Sequence, residues 1–556
     1  MATIEQTNPA REVLNQPPPL CGRNLFTENV PLVESIRREG AGWAEERLVA
    51  AGAESGDAAD RELGRLANEN PPVLRTHDRY GHRIDEVEFH PAWHELLTLS
   101  VGQGTHALPW REPGPGAHVA RAALMLCGSG LESGHGCPIS MTYAAVPELR
   151  KQPELAAEWE PRITSLEYDR RFMPAEGKRG ALFGMAMTER QGGSDVRANT
   201  TLARPVNGGG PAAEYELTGH KWFCSAPMCD AFLVLGQADG GLSCFLLPRW
   251  TPDGERNRFH IQRLKDKLGN RSNASSEIEL DAAWARLVGE EGRGVATIIE
   301  MVNHTRLDCV LGSTGLMREA VAQAIHHCSH RAAFGKLLAE QPLMQNVLAD
   351  LAIESEAATL TAVRLARAVD EGPEDPEQTL FKRLGLAVSK YWICKSATWH
   401  VAEALECLGG NGYVELSGMP RIHREAPLLS IWEGSGNVNC LDVLRAMVKT
   451  PDSVDAFFAE VGLAAGAKPR LDAFARSVRD ELADLDGIEF RARRIVEQMG
   501  VALQASLLVR HGDPAVADAF CATRLGGDRG RALGTLPRGV DAARIVARHA
   551  PAAVAA

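Results

Sequence analysis

The residues able to do chemistry gather in three short stretches. In the one nearest the C-terminus, Glu433 follows Leu428-Leu429-Ser430-Ile431-Trp432 and precedes Gly434-Ser435-Gly436-Asn437. A carboxylate among apolar neighbours loses hydration, which raises its pKa toward the range useful to a general base. Gly434 and Ser435 allow a backbone or a phosphate to come close. A plainer arrangement also fits: a helix N-terminus capped by Ser435, with Glu433 solvated.

The second stretch is Met185-Ala186-Met187-Thr188-Glu189-Arg190-Gln191-Gly192-Gly193-Ser194-Asp195. Adjacent glycines flanked by Thr188 and Ser194 make a tight turn rich in N–H and hydroxyl donors, suited to a flat heterocycle or a phosphate. By itself such a turn is also ordinary loop chemistry. The third is Gly219-His220-Lys221-Trp222-Phe223-Cys224-Ser225, in which an aromatic beside a hydroxyl can face a ring and donate to its edge. Core packing of Trp222 and Phe223 serves equally well. His326, His327 and His330 share one helix, but only Cys328 stands near as a further ligand, so they read as a polar helix face and no metal is expected.

Helix, then sheet, then helix must position these stretches. The first zone, 1–178, reads as helical, interrupted by loops near Pro71–Pro72 and Glu112–Gly116. From 183 to 287 short segments of alternating polarity near Thr200–Val206, Glu214–Phe223, Ala231–Gly236, Ser243–Leu247 and Ser276–Leu280 predict an antiparallel barrel. The zone 293–448 returns to helix, with Met344, Val347, Leu348 and Leu351 on one buried stripe and an acidic, proline-containing loop at Asp370–Pro376. The last zone, 449–556, is rich in alanine and arginine. Block order of this kind is α+β and argues against a doubly wound sheet, and no GxGxxG follows a strand.

At 556 residues the chain supports several domains, and 44% hydrophobic with 24% charged residues is ordinary globular composition. A net charge of -12 rules out polyanion binding by the surface as a whole and leaves it to a local basic patch. Twelve scattered cysteines without a CxxC pair predict free thiols in a reducing compartment. No signal peptide or membrane-length apolar run is present, so a cytoplasmic protein is expected.

Taken in order, these stretches resemble the acyl-CoA dehydrogenase family. The resemblance continues through Lys267-Leu268-Gly269-Asn270-Arg271, Arg331-Ala332-Ala333-Phe334-Gly335-Lys336, Gln341, and Leu408-Gly409-Gly410-Asn411-Gly412-Tyr413. Further matches at Asn15-Gln16-Pro17, Arg38 to Trp43, Leu63 to Asn68, Phe89 to His94 and Cys440 to Arg445 are similar to a branch of that family tied to the response to DNA alkylation. The resemblance spans nearly the whole chain and thins after about 450.

The resemblance implies a fold with an N-terminal helical domain, a central β-barrel and a C-terminal helical bundle, plus an extra helical region in this branch. It implies FAD, with Met185, Met187, Thr188, Gln191, Gly193 and Ser194 lining the isoalloxazine. Phe223 would pack on the ring beside Cys224, and Ser225 would bond flavin N5. Ile431, Trp432, Gly434, Ser435 and Asn437 would close the site and touch the diphosphate. Arg331 and Gln341 would reach the ADP half across a subunit interface, which implies an oligomer, a homotetramer as in the family. Glu433 matches the base that removes the α-proton of an acyl-CoA; the alternative position used by some relatives is Thr305 here. Short branched substrates such as isovaleryl-CoA are the expected class, with weak turnover.

From 491 onward ten arginines face five acids, a local net of +5 with no lysine. Guanidinium forks suit phosphates, and the resemblance implies non-specific binding of double-stranded DNA through Arg445, Arg524 and Arg529. A face neutralised by acids from 451 to 490 is the plainer reading. The expectation is an FAD-containing protein of the response to DNA alkylation that takes an acyl-CoA or a small alkylating agent and inactivates alkylating agents near DNA; the alternatives are a catabolic acyl-CoA dehydrogenase and a DNA-binding protein with a structural flavin.

Overall fold

The computed structural model describes residues 13–552. Its N-terminal part holds α1 (Val30–Arg38), α2 (Glu45–Gly56), α3 (Ala58–Glu69), the hairpin β1 (Val73–His77) and β2 (Arg83–Glu88), then α4 (Pro91–Gly102), α5 (Leu108–Arg111), α6 (Ala117–Leu131), α7 (Gly136–Arg150) and α8 (Pro153–Ile163). The barrel follows with β3 (Phe183–Ala186), β4 (Leu202–Pro205), β5 (Glu214–Ser225), β6 (Ala231–Ala238), β7 (Gly241–Pro248), β8 (Phe259–Leu264) and β9 (Ser275–Val288). Next come α9 (Gly294–His330), a small hairpin β10 (Ala332–Ala333) and β11 (Lys336–Leu337), α10 (Pro342–Glu371), α11 (Pro376–Glu406), α12 (Met419–Leu429) and α13 (Gly436–Lys449). The last region holds α14 (Asp452–Gly462), α15 (Pro469–Ala483), α16 (Ile488–His511), α17 (Pro514–Phe520) and α18 (Ala542–His549).

Strand order in the main sheet is β3-β6-β4-β5-β9-β7, with β8 on β9, and the β6–β7 pairing closes it into a barrel. Most pairs are antiparallel, but β3 and β4 both run parallel to β6, a departure from the all-antiparallel expectation. Several strands escaped the sequence pattern, β3 and the β10–β11 hairpin among them. The β1–β2 hairpin, in a zone read as helix and loop, is largely polar and little buried. The β8 strand buries only Phe259 and Ile261.

The acidic loop before α11 ends where Asp375 accepts a bond from the Glu377 N–H and Pro376 opens the first turn, a helix start that both residues favour. The expected stripe on α10 does face inward, with Leu348 and Leu351 fully buried and Met344 and Val347 packed against the core. The 37-residue α9 runs through the bundle, buried along most of its length. Two hydrophobic cores result. One joins α1, α2 and α6 to the C-terminal bundle; the other joins α4, α7 and α8 to the barrel. Trp432 packs against both. The residue after it is Glu433, so the candidate base stands on the seam.

The C-terminal region is fastened by charge. Helix α10 buries Asp350, Glu354 and Glu356 among apolar neighbours. Arg524 answers Asp350 and Glu354, and Arg548 with His549 answers Glu356. Burial pushes the Glu356 carboxyl up, but the bonds from His549 and Arg548 outweigh it and bring it to about 2. Removing one partner of a buried pair strands the other charge, at a cost of about 3–5 kcal/mol. Arg524→Ala is therefore expected to lose that much in chemical denaturation. A neutral triple variant, Asp350→Asn, Glu354→Gln and Arg524→Met, recovers most of it; equal losses in both would show that packing rather than charge is at stake.

Candidate active site

The loop after β3 is built on Glu189, a fully buried acid. Its carboxylate accepts bonds from the backbone N–H and hydroxyl of both Thr200 and Thr201, and from Lys221 Nζ at 2.8 Å. Burial alone would raise this carboxyl; the Lys221 ammonium and the other donors outweigh it and hold it well below the usual range. Two backbone-directed bonds fix the register: Trp222 N–H donates to Thr188 O at 2.8 Å, and Asn199 Nδ2 to Met187 O at 2.8 Å. A Cβ on Gly193 would stand 2.3 Å from Thr188 Oγ1, so the loop can close this tightly only with glycine there. Met185, Met187 and Thr188 are half-buried, while Gln191, Gly193 and Ser194 are exposed. Gln191 is spent inside the loop, donating to Glu189 Oε2 and Ala198 O.

Strand alternation sorts the end of β5. Phe223 is 50% exposed and Ser225 half-buried, whereas Cys224 between them points into the barrel core with no exposure. The expectation for Cys224 narrows to its backbone: the thiol, pushed up to about 12 by burial, points into the barrel core. Across from this strand, α7 contributes Cys137, buried beside Ser225, Lys267 and Asn273 and within the electrostatic reach of Glu433. Asn273 is buried with neither amide atom bonded among the described residues.

The loop from Ser430 to Ser435 joins α12 to α13. Ile431 is 60% exposed, Trp432 half-buried, and Ser435 occupies the N-cap position of α13. No capping bond from the Ser435 hydroxyl occurs, so the hydroxyl and the first N–H groups of a 14-residue helix stay available to an anion. Asn437, in the first turn, is exposed. Glu433 itself has φ of +56°, in the left-handed region that non-glycine residues rarely adopt. Thr305 Oγ1 donates to Glu433 Oε2 at 2.8 Å, and Arg306 Nε donates to the Glu433 carbonyl at 3.1 Å. Lys390 Nζ bonds the carbonyls on either side, Trp432 O at 2.7 Å and Gly434 O at 2.6 Å. Burial raises the Glu433 carboxyl above its ordinary value, with Thr305, Lys390 and Arg306 opposing the shift.

The barrel strands and the α12–α13 loop thus bring donors, an aromatic face and one desolvated carboxylate to a single seam. Sequence reasoning named Thr305 only as a position lacking a carboxylate and missed Arg306, Lys390, Cys137 and Asn273. A Thr-Arg pair inside a helix and a lysine in an apolar stretch carry no local signal of their role. Arg331 and Gln341 lie elsewhere: Arg331 donates to Asn15 O at 2.6 Å and Gln341 to Ala333 O at 2.9 Å. Thr305 and Arg331 stand 26 residues apart along α9, about 39 Å at 1.5 Å per residue. Among the arginines assigned to DNA, Arg445 is 61% exposed and Arg529 partly so. Arg524 is corrected: its guanidinium is sealed between Asp350 and Glu354 and has no face to offer a phosphate.

Three family descriptions match in series. Residues 15–170 match the adaptive response protein AidB N-terminal domain, 184–283 the acyl-CoA dehydrogenase middle domain, and 292–448 the acyl-CoA dehydrogenase C-terminal domain. The chain is 45% identical over 518 residues to the putative acyl-CoA dehydrogenase AidB of Escherichia coli, covering 92% of this chain and 94% of that one. The chain belongs to the acyl-CoA dehydrogenase family, in its AidB branch. A Caenorhabditis elegans protein, acyl-CoA dehydrogenase family member 11, is 31% identical over 82% of this chain and 72% of its own. Among solved structures, that of C. elegans ACDH-11 in complex with C11-CoA superposes with a TM-score of 0.84 at 26% identity, covering 96% of each chain. A Bacillus anthracis acyl-CoA dehydrogenase complexed with FAD shares the fold, with a TM-score of 0.60 at 20% identity over 78% of each chain.

The protein is an acyl-CoA dehydrogenase-like oxidoreductase of an FAD-dependent family. The residues present fit that group: an open cradle at 187–195, an exposed aromatic at Phe223, and the uncapped start of α13. Gly193→Ala is expected to eject Thr188 from the cradle and leave protein with well under half the wild-type flavin-to-protein absorbance ratio. Unchanged flavin content in that variant would mean the loop does not hold the ring.

Proposed function

We propose that the protein dehydrogenates acyl-CoA thioesters, with Glu433 as the base and FAD held between the barrel and the α12–α13 loop. What carries this reading is the half-buried Glu433 carboxylate, raised by desolvation and bonded on one oxygen by Thr305. With Oε2 engaged, Oε1 is left to take the α-proton. Bound FAD supplies the hydride acceptor for the β-hydrogen. The seam strips part of the water from the carboxylate, and a partly desolvated base has the raised proton affinity that α-carbon acidity demands. The long separation of Arg331 from Thr305 supports a cofactor shared between copies, since one subunit's Arg331 lies too far along α9 to reach its own site. An oligomer follows from that reading, a homotetramer as the family resemblance implies, and isovaleryl-CoA is the first substrate to try.

The test is anaerobic reduction of the purified yellow protein by a panel of acyl-CoAs. Glu433→Gln is expected to slow flavin bleaching by about 10²–10⁴-fold, the usual range for a general base. Bleaching at the wild-type rate would remove Glu433 from the mechanism. The active form is the carboxylate, so the rate rises with pH through a midpoint above the ordinary glutamate value. Thr305→Val withdraws a bond that favours the ionised form and moves that midpoint up by about one pH unit.

A second reading, a part in the adaptive response with double-stranded DNA as partner, takes its support from the description of the matched N-terminal domain and from exposed Arg445. Arg531 and Arg538 are exposed as well. Most other arginines of the tail are occupied: Arg491 and Arg494 by Glu481, Arg510 by Glu460, Arg544 by Asp513. Retention on DNA at low salt should fall when Arg445, Arg531 and Arg538 are changed to Glu, and fall further as salt rises. Equal retention by this triple variant would leave the surface without a DNA role.

A further inference from the structure

Lys390, in the middle of α11, is 1% exposed. Burying an ammonium is unfavourable unless a carboxylate accompanies it. The other fully buried lysine, Lys221, obeys this and pairs with Glu189 at 2.8 Å. Lys390 does not: among the described residues, no carboxylate lies within ion-pair distance of its Nζ. Its bonds go instead to the carbonyls of Trp432 and Gly434, the two neighbours of Glu433.

Three consecutive carbonyls, those of Trp432, Glu433 and Gly434, therefore point at two cations, Lys390 and Arg306. The charge of Arg306 is matched by Asp442, at 2.9 Å, and Asp442 is itself shared with Arg383. Lys390 has no such counterweight. The residue between its two acceptors is held at φ of +56°, followed by Gly434 at +97°. A left-handed non-glycine residue is strained and persists only where its surroundings impose it. Asn439 Nδ2 adds bonds to Gly434 O at 2.6 Å and Ser435 O at 3.0 Å, but as an amide it brings no charge.

We propose that Lys390 is a positioning residue for the reaction proposed above. Its ammonium clamps the backbone on both sides of Glu433 into the left-handed bend that aims the carboxylate across the seam, and it supplies the one uncompensated positive charge beneath that carboxylate. This inference rests on Glu433 being the base. The charged and titratable groups facing Glu433 come from α9 (Arg306, Asp308 and Cys309), α7 (Cys137) and α11 (Lys390). Asp308 is committed to Arg121, with a bond of 2.7 Å, and both thiols are held neutral by burial. That leaves Lys390 as the group whose removal changes the charge balance at Glu433 without breaking an ion pair.

The experiment compares Lys390→Met, Lys390→Gln and Lys390→Arg in the FAD-loaded protein. Two readouts are used: the pH profile of anaerobic flavin reduction by isovaleryl-CoA, and an infrared pH titration of the Glu433 carboxyl, with the Glu433→Gln spectrum subtracted. An opposite charge nearby lowers a carboxyl pKa by about 1–3 units. Lys390→Met and Lys390→Gln are thus expected to move the Glu433 midpoint up by about one unit or more in both readouts; Lys390→Gln recovers its rate at higher pH, while Lys390→Met, which also frees the two carbonyls, keeps a deficit there. Lys390→Gln retains an amide donor for the carbonyls, so it reports the charge in a clamped loop. Lys390→Arg should stay near the wild-type midpoint. A midpoint unchanged in both neutral variants overturns the charge role, and a Lys390→Met rate that recovers fully at high pH overturns the clamp. The infrared titration needs no turnover: if the wild-type protein is not reduced by any acyl-CoA, the functional reading fails, while the midpoint shift still decides the role of Lys390.

Discussion

A partly desolvated carboxylate on a bent backbone, Glu433, is the constraint around which the candidate site is arranged. Glu433 is placed there because Trp432 is wedged between two hydrophobic cores, and a residue one step along the chain cannot escape the same seam. The bend is unfavourable in isolation, by about 1–3 kcal/mol. Hydrogen bonds from charged donors, each contributing about 1.5–3 kcal/mol, offset it at three successive carbonyls. Packing, backbone strain and proton affinity at this point are therefore one problem, solved by α9 and α11 together.

The cradle opposite follows a different rule. There a buried acid, Glu189, is saturated with donors and held ionised, and its task is to tie the 187–195 loop to β5. Two glutamates in one site thus end with opposite proton affinities, set by the number of donors each receives. The saturated one shapes the cradle; the desolvated one keeps the higher proton affinity.

Charge counted along the sequence misled at the C-terminus. The surplus of arginine after residue 491 reads as a phosphate-binding tail, and the acids expected to neutralise it were sought between 451 and 490. Glu460 and Glu481 do come from there, but Asp350, Glu354 and Glu356 come from α10 and Glu34 from α1. Much of the surplus is an internal fastening between the extra region and the bundle. Only in three dimensions does a stranded acid on one helix find its arginine some 170 residues later.

The block order of helix, barrel and helix was legible because hydrophobic periodicity is local: a stripe such as Leu348 and Leu351 or the alternation through β5 is written in neighbouring residues. The three chemical stretches were legible too, since glycine pairs, hydroxyls and a carboxylate in an apolar run restrict what a chain can do nearby. The polar β1–β2 hairpin and the parallel pairings of β6 were not, because neither bears an apolar pattern that distinguishes it. By itself the sequence determined which residue types reach the seam, Glu433 among them. Tertiary structure alone decided that Thr305, Arg306 and Lys390 meet that glutamate, that Cys224 faces away, and that Arg524 is sealed. The reason is that side-chain direction and electrostatic partnership depend on distances through space, which a chain folded over several hundred residues does not preserve along its length.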